Sequence, residues 1–220
     1  MPLGGERVRL HPGARMWGKA YSVTPGAIFV APESEYQRPE DLADVAVGVG
    51  HHSGSHYSAI QALERYLDRP QLQLTFTGLP NDRTRLMLER KIPAANVFGA
   101  QYYVLEQQGF RKLADTTFMV GFLVNEDART EDVDRYFQAL LRAQRDIDLE
   151  PERYKHYWLR EMPEDIKPIV DVRRFGPGER IVGEPYTREM FEQTHRWLQT
   201  WDLFDPQAAA NPAYEHAVIS

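Results

Sequence analysis

The sequence predicts an α/β protein of two lobes, one of them built on a parallel sheet. Between residues 45 and 124, short apolar runs alternate with amphipathic stretches, the order that builds right-handed βαβ units. After Val124 the pattern turns mainly helical, and that helical third needs a second body to pack on. The chain has 220 residues, 42% hydrophobic and 26% charged, which is enough for a real core.

Taken in order, Glu6–Leu10 alternates charged and apolar residues as a half-exposed strand does, and His11-Pro12-Gly13 ends it. A loop rich in Gly and Ser is expected from there to Pro25-Gly26, followed by a buried strand, Ala27–Ala31. Val45–Val49 is a β-branched run suited to a strand covered on both faces. Tyr57, Ile60, Leu63 and Leu67 share one face of a helix that Pro70 ends. A strand at Leu72–Phe76 and a helix through Leu86–Leu88 follow. Ile92–Val97 reads as a strand that Pro93 pushes towards an edge. Gln101–Gln108 is a helix stopped by Gly109, and Phe118–Val124 is the most apolar strand. Helices follow at Glu131–Ile147, from Pro151, and around Thr187–Leu203, and Pro206–Ser220 reads as a loosely held tail.

Composition narrows the function classes. The net charge is −6, and the basic pairs Arg83/Arg85 and Arg173/Arg174 are short and flanked by acids, so no nucleic-acid partner is expected. There is no cysteine, which removes disulfides, thiolate metal sites and a cysteine nucleophile. No stretch approaches the ~20 apolar residues of a membrane span, so no membrane insertion is expected. Met1–Arg7 lacks an apolar signal-peptide core, so the chain as given is expected in the cytoplasm, or in the periplasm if excised from a longer precursor. No P-loop or Ser-His-Asp pattern is readable, and no cofactor is expected.

Pro39-Glu40-Asp41-Leu42, the strand Val45–Val49, the turn Ser53-Gly54-Ser55-His56-Tyr57 and the ending Gly109-Phe110-Arg111-Lys112-Leu113-Ala114-Asp115 together resemble the substrate-binding proteins of nitrate, sulfonate and taurine ABC transporters. That family also contains thiamine-pyrimidine-synthesis proteins, and the resemblance covers roughly Arg7 to Ile147. It implies a two-lobed periplasmic-binding-protein type 2 fold that grips a small anion between its lobes. Residues 1–38 and 117–220 would form a partial first lobe with the C-terminal helices, and residues 39–116 the second lobe. Pro93 stands where the family has an acidic residue before the Ala pair, and the proline usual in the following loop is replaced around Ala100-Gln101. The family's opening strand and helix elements have no counterpart, so the first lobe is expected to expose an edge that a partner subunit or a second copy completes.

The Gly/Ser turn is the expected ligand site. Ser53, Gly54 and Ser55 would bring free amides, hydroxyls and the positive end of a helix to an anion, although the same residues also make an ordinary N-cap and turn. His51, His52 and His56 are the unusual feature. They are candidates for ligand contact or for catalysis in an alternative reading, a histidine-dependent lyase or hydrolase on the same scaffold. His52 and His56 stand four apart, as two metal ligands on a helix do, but the turn precedes the helix and no carboxylate is close in sequence, so no metal is assigned. Asn96 and Gly99 fall at the carboxyl end of a strand, where open α/β sheets bind ligands. Arg15 and Trp17, on the loop before the strand at Ala27, are read as able to pair with and stack on a ligand. Asp82 and Arg83 could line the cleft, although a capping aspartate and a solvated arginine are the favoured reading.

Overall fold

The computed structural model describes residues 14–125, 127–203 and 213–219; the strand expected at Glu6–Leu10 lies outside them. The elements run β1 (Ala14–Thr24), β2 (Gly26–Val30), β3 (Ala46–Val49), α1 (Gly54–Leu63), β4 (Gln73–Phe76), α2 (Pro80–Leu88), β5 (Ala94–Phe98), α3 (Ala100–Gln107), β6 (Arg111–Asp115) and β7 (Phe118–Asn125). Then come α4 (Thr130–Leu149), α5 (Pro151–Tyr154), α6 (Trp158–Glu161), β8 (Arg180–Val182), α7 (Arg188–Thr200), α8 (Tyr214–Ala217) and β9 (Val218–Ile219). The described residues divide into two compact units, one within 14–22, 120–144 and 181–219, the other of residues 23–119 and 145–180.

The larger unit is a sheet in the order β4-β3-β5-β2-β6 with helices on both faces. Strand alternation sorts its core. Ile28, Val30, Val47, Val49 and Ala94 meet Ala59 and Leu63 of α1 on one face, while Ala27, Phe29, Ala95 and Val97 meet Met87 of α2 and Leu105 of α3 on the other. The stretch after residue 145 packs on the outer side of α3, where Met162, Ile166, Val172 and Phe175 bury Tyr103 and Val104.

Three expectations change here. β4, β3 and β5 are parallel, but β2 is antiparallel to both β5 and β6. The chain reaches β2 from β1 through the single residue Pro25, whose carbonyl accepts from Gly99 N just past the end of β5, so β2 can only run back along β5. β2 was expected in the first lobe; it is a central strand of this unit, because a five-residue run buried on both faces needs helices on both sides. β5 is central too, since Pro93 precedes the first paired residue, Ala94, and its missing N–H costs no ladder bond.

In the smaller unit the strand order is β7-β1-β8, with β9 also paired to β1 in parallel through Met16↔Val218 and Trp17↔Ile219. The Gly/Ser-rich stretch expected as a loop is the eleven-residue strand β1. Gly18 marks a close approach there, not a turn: a Cβ would sit 2.7 Å from Val218 Cγ1 and 3.1 Å from Ile219 O. The described end of the tail is likewise ordered into α8 and β9. On the α4 side, Trp17 is buried edge-on against Phe137 (4.6 Å) and Phe122 (6.2 Å). On β7, Leu123 is 70% exposed. No described helix is long and apolar enough to cross a membrane.

Gly18→Val should cost about 1–3 kcal/mol through overpacking against β9. Urea unfolding followed by tryptophan fluorescence reads the loss, and a variant as stable as its parent would mean that β9 does not dock on β1.

Candidate functional site

Because β3, β4 and β5 are parallel, their carboxyl ends share one edge of the larger unit's sheet, and α1, α2 and α3 all begin there. The antiparallel strands add Pro25, before β2, and Thr116–Phe118, after β6, to the same edge.

At its centre is the turn that follows β3. Ser53 is the N-cap of α1 and His52 takes a positive φ of 43°. Ser53 Oγ donates to Gly50 O (3.0 Å), Gly50 N donates to Ser55 Oγ (3.0 Å), and the two hydroxyls are 2.8 Å apart. Both serines are thus spent on shaping the turn. The first intrahelical bonds run from His56 N and Tyr57 N to Ser53 O, so the amides of Gly54 and Ser55 lie ahead of them, at the positive end of the helix. Gly54 is required sterically, since a Cβ would sit 2.4 Å from Cε2 of Phe118, whose ring stands edge-on to Phe98 at 5.3 Å.

Arg83 changes most between sequence and structure. Read as solvated, it is 1% exposed. Its Nε donates to Asn96 O (3.0 Å) and its Nη1 to Gly78 O (2.7 Å), while a Cβ on Gly50 would meet Nη1 at 3.2 Å. Its partners are backbone carbonyls, not a carboxylate. Burial lowers its pKa to about 10, with Asp82 acting the other way, so it remains charged at neutral pH. Asp82 does cap: its carboxylate accepts from Leu79 N at 3.0 Å. The sequence carried one usable signal for Arg83, an arginine in the first turn of a helix that starts at the carboxyl edge of a parallel sheet.

Asn96, expected to touch ligand, is wholly buried and fully engaged. Its Nδ2 donates to Ser55 O (2.7 Å) and Ser58 Oγ (2.9 Å), and its Oδ1 accepts from Thr116 Oγ1 (2.7 Å). It positions the site and does not face it. Gly99 is the N-cap of α3 with φ 63° and ψ −135°, a conformation only glycine adopts without strain, and Gln101 Nε2 ties the start of α3 to Asn81 of α2 at 2.6 Å.

The three histidines do gather. His51 and His52 are edge-on at 4.1 Å, His52 and His56 at 5.6 Å, and Phe76 packs on both His51 (4.5 Å) and His56 (5.3 Å). His56 stacks on Tyr57, whose hydroxyl is 2.9 Å from His52 Nδ1. His56 is 3% exposed, and its Nδ1 is buried with no hydrogen-bond partner. Burial, then the neighbouring His52 and His51, pull its pKa down to about 4; burial and His51 lower that of His52. Among the described residues there is no group of three or more His, Asp or Glu side chains that could hold a metal ion.

Arg15 and Trp17 belong to the other unit, where they are parts of β1 and line a recess of about 240 Å³ with Lys19, Asn125, Thr130 and Asp134. Arg15 is engaged by backbone, donating to His216 O (3.0 Å) and Val218 O (2.8 Å) and so tying α8 and β9 to β1. Trp17 is buried beneath α4, its ring perpendicular to that of Phe137, and leaves little surface for stacking on a ligand. Lys19 pairs with Asp134 at 2.8 Å.

No protein-family model matches the chain, and no curated protein matches it. Solved structures do. The alkanesulfonate-binding protein SsuA from Xanthomonas axonopodis pv. citri, bound to MOPS, matches with a TM-score of 0.71 at 14% identity, over 94% of this chain and 74% of that one. This is the periplasmic-binding-protein type 2 fold. The periplasmic aliphatic sulphonate binding protein SsuA from Escherichia coli matches at 0.63 and 19% identity, over 87% of this chain and 66% of that one. The desulfurization enzyme DszB matches at 0.56 and 15%, over 97% and 81%. At these identities the likeness is one of fold. In this periplasmic-binding-protein fold the edge that carries Arg83 and the start of α1 is the carboxyl edge of the parallel strands.

Asn96→Ala should lower stability by about 1–3 kcal/mol, because it orphans the Thr116 hydroxyl and two acceptors of α1 while leaving Arg83 its carbonyl. Equilibrium urea denaturation checks it. A change below about half a kcal/mol would show that the amide does not hold the edge together.

Proposed function

We propose that this protein holds a small organic anion, a sulfonate or a carboxylate, at the edge formed by the Gly50–Ser55 turn and Arg83, in the manner of a substrate-binding protein of an ABC transporter. The observation that carries this is Arg83, a buried guanidinium satisfied by carbonyls and lacking a carboxylate, beside the amino terminus of α1. A buried charge with no carboxylate in direct contact is costly and is only partly relieved by the nearby Asp82, and an anion arriving at the turn offsets the remainder. The Gly54 and Ser55 amides add hydrogen bonds and about 0.3–2 kcal/mol from the helix end. Phe76, 39% exposed, and Leu79, 72% exposed, put apolar surface on the rim, which suits an anion with an organic body. That two of the matched structures are sulfonate-binding proteins supports this reading.

The alternative, a histidine-dependent lyase or hydrolase, has one observation in its favour, the His52–Tyr57 pair at 2.9 Å. Against it, no carboxylate among the described residues hydrogen-bonds any of the three histidines to orient it as a base.

A panel of alkanesulfonates, carboxylates and inorganic anions in a thermal-shift assay tests the proposal. Ligand at a hundred times its Kd should add about 2.7 kcal/mol of stability. Arg83→Lys keeps the charge but loses the planar fork, and should weaken binding by about tenfold or more. If no anion stabilises the protein, or if Arg83→Lys binds like its parent, the assignment fails.

The partner expectation joins this proposal. Among the described residues, the smaller unit's sheet leaves β7 at the end of its strand order, with Leu123 exposed, and a second chain or second copy would cover that surface. Native mass spectrometry should show a complex; a monodisperse monomer across the micromolar range rejects it.

A further inference from the structure

His56 is buried inside a cluster that the anion site leaves unexplained. A core histidine with a purely packing role has its ring nitrogens satisfied, yet His56 Nδ1 is sealed from solvent without a partner. Its neighbours are His52, His51, Tyr57 and Phe76, at ring distances of 5.3–5.6 Å where they touch it directly. The elements packed on α1 bring no counter-ion. β3 and β5 carry no ionisable side chain, and on β6 Lys112 is held by Glu106 and Tyr102 while Asp115 accepts from Thr117 N. Arg111 of β6 donates to Ser34 O and Tyr36 O. From α2 comes a further positive charge, Arg83.

We propose that anion capture at the Gly50–Ser55 turn is coupled to uptake of one proton by the His51–His52–His56 cluster. This rests on the anion site proposed above and adds the regulation of that site. Without ligand, an imidazolium in the cluster would be a cation beside other imidazoles with no carboxylate hydrogen-bonded to it, and burial holds the pKa of His56 at about 4 and lowers that of His52. A bound anion reverses the sign of the field. His51 and His52 are themselves part of the turn, so a negative charge held there lies within the few ångströms over which an opposite charge stabilises imidazolium. Tyr57 accepts or donates at His52 Nδ1 as that ring changes state, and the unpartnered His56 Nδ1 is the other nitrogen ready to take up a proton. Linkage then runs both ways: if the anion favours the proton, the proton favours the anion by the same factor.

Butane-1-sulfonate is a suitable probe because a sulfonate stays ionised throughout, so any pH dependence belongs to the protein. Calorimetric titration of the intact protein between about pH 8 and pH 5 should show tighter binding as pH falls, approaching about tenfold per pH unit where coupling is complete. A pH-stat near pH 6.5 should count an uptake of up to one proton per anion bound. His52→Gln and His56→Gln should each flatten the profile. The proton count on the unmodified protein stands even if the buried His56 variant unfolds. Binding that is flat with pH and takes up no proton overturns the coupling while leaving the anion site intact. No binding at any pH overturns both.

Discussion

The side-chain amide of Asn96 has no exposed surface, and both of its donors and its oxygen are engaged: α1 takes the donors through Ser55 O and Ser58 Oγ, and Thr116 supplies the donor for the oxygen. Its own carbonyl receives Arg83. One residue of a central strand therefore fixes the start of α1, the guanidinium from α2 and the segment beyond β6. Each partner is itself buried or nearly so, and a break in one bond leaves several polar groups without water to replace it. The edge of the sheet is rigid because that network is complete.

Rigidity there has an electrostatic consequence. The guanidinium of Arg83, pinned by carbonyls, keeps its charge when buried, whereas burial holds the His56 imidazole well below its usual pKa. The two kinds of basic group sit side by side at one turn, the guanidinium hydrogen-bonded by carbonyls and His56 with a nitrogen left unpartnered. Helix starts contribute partial charge of the same sign, and Gly54 leaves room for the Phe118 ring that packs beside them. The edge thus gathers a full positive charge and the partial positive charge of a helix start.

Much of the fold was legible in the sequence because it rests on local periodicity. The apolar runs at Val45–Val49 and Leu72–Phe76, the helical face of Ile60 and Leu63, and the stop at Gly109 (φ 77°) all appear as read. The misreadings share one cause. Gly18 looks like a turn residue by itself and is a contact point for β9; Pro93 looks like an edge marker and stands one residue ahead of a central strand; Ala27–Ala31 looks like a first-lobe strand and fills two cores. In each case the deciding neighbour is far away in the chain.

Sequence alone determined the α/β class, most element boundaries, and a Gly/Ser turn with three histidines at the head of a helix. Those follow from steric and hydrophobic preferences acting over a few residues. Tertiary structure alone decided that Arg83 is buried and hydrogen-bonded by carbonyls, that Asn96 braces the edge it was expected to expose, that Arg15 ties down α8 and β9, and that His56 has an unpartnered nitrogen. Burial and polar satisfaction belong to surfaces meeting across long separations in the chain, and no local pattern records which surfaces meet.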